Sequence, residues 1–99
     1  MKTLTICGSM RFAKEMQAIA FDLETRYGLN VLQCVYGDSE HLTQEQRARL
    51  AAAHAKKIAM SDGIYVVDID GYIGQSTQKE IDCARTQDKE IIFHTGFYR

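Results

Sequence analysis

The chain lacks a charge excess of either sign. Twelve lysines and arginines stand against thirteen aspartates and glutamates, leaving a formal charge of −1. That balance excludes a basic field able to grip a nucleic-acid polymer or an anionic membrane surface, although a small anion can still be held by one arginine and some backbone amides. Long apolar runs are missing too, so no segment is suited to span a bilayer, and the start at Met1-Lys2 carries no apolar signal segment. The three cysteines, Cys7, Cys34 and Cys83, include no CxxC pair, and the histidines have no zinc-ligand spacing. They read as small buried hydrophobes in a reducing compartment, which makes the expected location cytoplasmic. Proline is absent, which excludes nothing here.

What is present fits one domain over residues 1–99. Of 99 residues, 45% are hydrophobic and 25% charged, enough for a modest core and too apolar for disorder. Lys2 to Cys7 is β-branched, stops at Gly8 and reads as a strand. From Arg11 to Tyr27, Phe12, Met16, Ile19, Ala20 and Leu23 recur at helical steps, and Gly28 closes the helix. Leu29 to Val35 reads as a second strand, and the polar stretch from Tyr36 to Leu42 as a loop. Thr43-x-x-Gln46 is a capping box for a second helix, with Leu50, His54 and Ile58 along one side. Ser61-Asp62-Gly63 ends it. Ile64 to Ile69 is the candidate central strand, Asp70 to Ser76 a loop, Thr77 to Thr86 a third helix and Lys89 to His94 a last strand before a short tail.

The alternation βαβαβαβ implies parallel strands joined by right-handed crossovers. The expected fold is therefore α/β, a Rossmann-like or flavodoxin-like three-layer sandwich with strands in the order 2-1-3-4. In such sheets ligands bind beyond the C-terminal strand ends where the order reverses, here between strands one and three. Two loops meet there. In the first, Gly8 allows close backbone approach, Ser9 can cap the next helix, and Met10 and Arg11 follow. A cation in a first helical turn suits a shared anion such as phosphate. A plain turn with Arg11 in water is the other reading of those residues. The second loop brings Gly71, Gly74, Ser76 and Thr77 ahead of Glu80. Thr77-x-x-Glu80 again matches a capping box, in which Glu80 merely reaches back to an amide. Alternatively, a carboxylate facing the crevice is a nucleophile for an electrophilic carbon. Asp68 and Asp70, near the end of strand three, suit ribose hydroxyls, acid–base work or a turn. His54 suits a hydrogen-bonded core position or proton transfer.

Taken together, these segments resemble the nucleoside 2-deoxyribosyltransferase superfamily, and within it the 2′-deoxynucleoside 5′-phosphate N-hydrolases. Cys7-Gly8-Ser9-Met10-Arg11 followed by Glu15 is similar to that branch's phosphate-binding turn. Ser61-Asp62 before Ile64-Tyr65-Val66-Val67 resembles its alanine-aspartate and valine run. Gly74 to Ala84 resembles the loop and helix that carry its catalytic glutamate, which falls on Glu80. The chain departs at Thr5, where a tyrosine is common, at His54, where a second carboxylate would fall, and at Gln78 and Lys79, which replace glycines and place a bulky charge beside the pocket. The resemblance implies cleavage or transfer at an N-glycosidic bond. Glu80 would be the nucleophile, and His54 or Asp68 would aid base departure. Gly8, Ser9, Met10, Arg11, Asp70, Gly74, Ser76 and Thr77 would bind substrate and phosphate. It implies no metal or organic cofactor, a nucleoside or nucleotide as partner, and a homodimer or larger assembly. Two other classes share the fold: a nucleotide-binding module without catalysis, and a phosphoacceptor domain. The last wants acidic residues at the end of strand one, where Cys7-Gly8 stands.

Overall fold

The computed structural model describes residues 1–37 and 39–97; the expected loop residue Asp38 and the tail residues Tyr98 and Arg99 lie outside them. Four strands, β1 (Thr3–Gly8), β2 (Asn30–Leu32), β3 (Gly63–Val67) and β4 (Glu90–Phe93), form one parallel sheet in the order β2-β1-β3-β4. The helices α1 (Ala13–Tyr27), α2 (Gln44–Met60) and α3 (Gln75–Thr86) alternate with the strands. This is the expected fold. None of the described helices is long and apolar enough to cross a membrane.

The side-chain alternation of β1 positions the site. Leu4 and Ile6 pack with Met16, Ile19, Ala20 and Leu23 of α1, while Cys7 packs on the other face with Ile58 of α2 and Ile81 and Ala84 of α3. Likewise β3 sends Tyr65 and Val67 to one face and Ile64 and Val66 to the other. The strand register depends on Gly63, where a Cβ would lie 2.5 Å from the Glu90 carbonyl oxygen. Thr5 and Ser61 join by their hydroxyls beneath the sheet, and Asp62 accepts the Thr3 amide at 2.8 Å, so Ser61-Asp62 ties β1 to β3.

Several boundaries differ from expectation for tertiary reasons. The second strand ends at Leu32 rather than Val35, because the chain beyond it leaves the sheet edge and Lys57 of α2 donates to the Gln33 carbonyl at 2.7 Å. The first helix opens with a tight 3-10 turn, Met10–Phe12. Ser39–His41 forms a similar turn within the expected loop. The expected tail folds as α4 (His94–Phe97), whose Phe97 packs edge-on to Tyr27 and Tyr65. Most consequential is α3, which begins two residues before Thr77.

Candidate active site

At the C-terminal edge of the sheet, β1 ends on Gly8, whose added Cβ would stand 3.1 Å from the Met16 sulfur and 3.2 Å from the Val67 Cβ. A side chain at this position would press on both α1 and β3 around the turn. Ser9 caps the 3-10 turn by accepting the Arg11 amide at 3.3 Å, as expected. The Arg11 guanidinium lies 4.0 Å over the Tyr72 ring, joining the first loop to the loop after β3.

The helix α3 has Gly74 as N-cap, with no side-chain cap and no acidic residue in its first turn. Its first amides lack intrahelical acceptors and so form an anion-binding end. Gly74, Ser76 and Thr77 line a cavity of about 360 Å³ together with Gly8, Ser9, Met10 and Glu80. A second cavity, about 320 Å³ and mostly apolar, runs under α2 past Met10, Leu42, Leu50, Ala51 and Ala53 to His54. Both cavities share Gly8, Met10, Ser76 and Glu80. The glutamate thus stands at the junction of two compartments.

The capping-box reading of Thr77-x-x-Glu80 does not hold. Because α3 starts at Gln75, Thr77 lies inside the first turn and is buried, and Glu80 is too far along to reach an N-cap amide. Its carboxylate instead lies 3.6 Å from the His54 Nε2, and that nitrogen is 3.6 Å from the Cys7 sulfur. Burial pushes the Glu80 carboxyl up to about 7, opposed by a hydrogen bond from the Cys7 thiol. Burial lowers the pKa of His54, and Lys57 adds to the effect. Burial raises the Cys7 thiol well above its ordinary range, and the Glu80 charge raises it further. At neutral pH the cluster therefore holds a neutral thiol, a neutral imidazole and a carboxyl close to half ionised.

Other expected site residues stand apart. Asp68 lines neither cavity; its two oxygens accept the Thr95 amide at 3.0 Å and the Thr95 hydroxyl at 2.7 Å, anchoring α4. Asp70 sits in a left-handed turn, φ 56°, and also lines neither cavity. Arg11 lines neither cavity and lies over the Tyr72 ring instead. Lys79 is exposed and lines neither cavity, so the expected bulky charge beside the pocket is turned away, and Gln78 donates to Asp82 instead. Sequence reasoning missed Cys7 as a polar member of the site, and missed the walls made by Cys34, Val35 and Lys57. The alternation of β1 and the spacing Leu50, His54, Lys57 on α2 are the signals that could have found them. Compared with family models, with curated proteins and with solved structures, the chain matches none.

Proposed function

We propose that this protein cleaves or transfers at the N-glycosidic bond of a (deoxy)ribonucleoside or its 5′-monophosphate, with Glu80 as nucleophile. The observation that carries the reading is the position of Glu80. Its carboxylate is withdrawn from any capping role and stands where an apolar compartment meets the one at the uncapped N-terminus of α3. The apolar compartment suits a flat base. The uncapped end of α3, with Ser9 and Ser76, suits the 5′-phosphate. The sugar then spans the junction with C1′ against the carboxylate.

Ionised Glu80 attacks C1′ through an oxocarbenium-like transition state as the C1′–N bond breaks, leaving a glycosyl ester on the enzyme. The departing base takes up a proton, a role we assign to His54 in the cavity wall. Water or a second base then attacks C1′ and returns the carboxylate. A carboxylate more basic than usual is the stronger nucleophile, and burial supplies that basicity here. Asp68, held by Thr95, has no part in this scheme.

A nucleotide-binding module without catalysis is the second reading, favoured by one observation: burial disfavours protonated His54, the form that base departure needs. We also place the protein in the cytoplasm, on its three free cysteines, and read it as a homodimer or larger assembly. The deciding experiment offers the protein nucleosides and their 5′-monophosphates and follows free base by chromatography. Wild type is expected to release base, and Glu80→Gln to bind the same ligand with turnover reduced by orders of magnitude. Near-normal turnover in Glu80→Gln removes the mechanism. Binding without release in wild type leaves the module.

A further inference from the structure

The cluster beneath the junction has a second chemistry. Cys7 comes from the end of β1, His54 from the middle of α2 and Glu80 from α3, and one ligand atom from each lies within 4.8 Å of the others. Two of the edges are sulfur to Nε2, 3.6 Å, and Nε2 to carboxylate oxygen, 3.6 Å. A tetrahedral zinc ion with Zn–S of about 2.3 Å and Zn–N and Zn–O of about 2.0–2.1 Å requires ligand–ligand edges of roughly 3.3–3.6 Å. Two of the three edges therefore come close to those of a metal polyhedron, and the third, sulfur to carboxylate oxygen, lies within 4.8 Å.

We propose that Cys7, His54 and Glu80 bind one zinc ion, with the fourth position open to solvent or ligand in the adjoining cavity. His54 and Glu80 line that cavity, which provides the route of entry. The donor set is a thiolate, a neutral imidazole and a carboxylate, so a bound Zn²⁺ is electrically neutral in total, as a buried site requires. Forming it breaks the Cys7 S–H bond, makes a Zn–S bond and releases the proton to solvent. No electron is transferred. Because the thiol must lose its proton to bind the ion, zinc affinity rises with pH. The His54 Nδ1 is buried without a hydrogen-bond partner, so the imidazole lacks the outer-shell acceptor usual for a zinc ligand. Zinc would therefore bind more weakly than at a site with that acceptor.

The inference does not rest on the glycosidase reading. Zinc would occupy the very carboxylate that attacks C1′, so the ion would act as an inhibitor of that chemistry. The test uses the chelator-treated protein and no nucleotide. Zn²⁺ is titrated calorimetrically in buffers of different ionisation enthalpy, and Co²⁺ is followed by its thiolate-to-metal absorption. One ion per chain, proton release and a thiolate band are expected in wild type and in Cys34→Ser and Cys83→Ser. Cys7→Ser is expected to lose the band. His54→Ala and Glu80→Gln are each expected to weaken zinc by at least the roughly 10–100-fold that loss of even an outer-shell partner costs. Absence of stoichiometric binding in wild type overturns the proposal, as does a band that survives Cys7→Ser. Should Cys7→Ser melt like an unfolded chain, His54→Ala and Glu80→Gln decide, and wild-type affinity in both overturns it. Base release measured separately with chelator present tests the glycosidase reading, so either can fail alone.

Discussion

A carboxyl group held at about 7 by burial has a consequence for stability that is open to measurement. In the unfolded chain Glu80 titrates near its ordinary value, 4.5, whereas in the fold it keeps its proton to about 7. Below the lower value both states are protonated and the side chain is neutral to stability. Between the two the folded state binds the extra proton, so its stability falls as pH rises, and above the upper value the whole penalty is present. The gap corresponds to a penalty on the order of 3 kcal/mol. Glu80→Gln removes the charge and keeps the shape. Its thermal melt is expected to exceed that of wild type at about pH 8 and to converge with it near about pH 4. His54, with its pKa shifted down, contributes a rise of stability with pH in both proteins, so the difference between the curves isolates Glu80. Parallel curves at all pH values would mean that Glu80 is solvated.

The decisive element is α3, whose N-terminus is open where most helices carry a cap. At Gly74 the backbone is extended and a Cβ would meet nothing closer than the Tyr72 hydroxyl oxygen at 3.7 Å, so a side chain fits. Gly74→Asp is expected to cap the helix and complement its dipole, stabilising it by roughly 0.3–1 kcal/mol. The same carboxylate would then occupy the end read here as the phosphate site. Binding of a 5′-monophosphate should fall while the bare nucleoside keeps its affinity, as paired calorimetric titrations would show. Equal affinities for the monophosphate before and after the change would move the phosphate elsewhere. The capped helix α2 offers the contrast. Thr43 and Gln46 form the reciprocal capping box that the sequence implies, and this cap sets the helical frame that carries Leu50 and His54 into the cavity wall.

For the whole molecule the open question is association. The helix α2 buries only Ile58 among its 17 residues, and Met60 at its end is 65% exposed. Phe21, 71% exposed on α1, adds a second uncovered apolar side chain. A 99-residue chain has a modest core of its own, and a partner copy would add to it. If the folded state is a dimer, the melting temperature rises with chain concentration, because unfolding then changes the number of particles. Light scattering at micromolar concentration, with melts across a concentration series, checks this. The mass of 11.2 kDa, together with a melting temperature independent of concentration, would establish a monomer.

Local pattern was enough for the architecture. The β-branched run from Lys2 to Cys7, the apolar run from Ile64, helical spacing from Phe12 to Leu23, and Thr43-x-x-Gln46 each express an interaction within a few residues, so the element order could be read directly, and the sheet order expected from that alternation is the one observed. Local pattern also located the crevice, since strand-order reversal follows from topology and the glycines and hydroxyls gather there. It failed at Thr77-x-x-Glu80, where two starts for one helix satisfy the same local rules. Burying Thr77 against the core favours the earlier start, and that energy comes from packing rather than from a cap. Asp68 reads as chemistry until α4 forms from the apparent tail and takes both its oxygens. Cys7 and His54 are 47 residues apart, and no spacing rule connects them. Only the packing of α2 and α3 onto one face of β1 brings thiol, imidazole and carboxyl together, and only their common removal from water sets the charge each one carries.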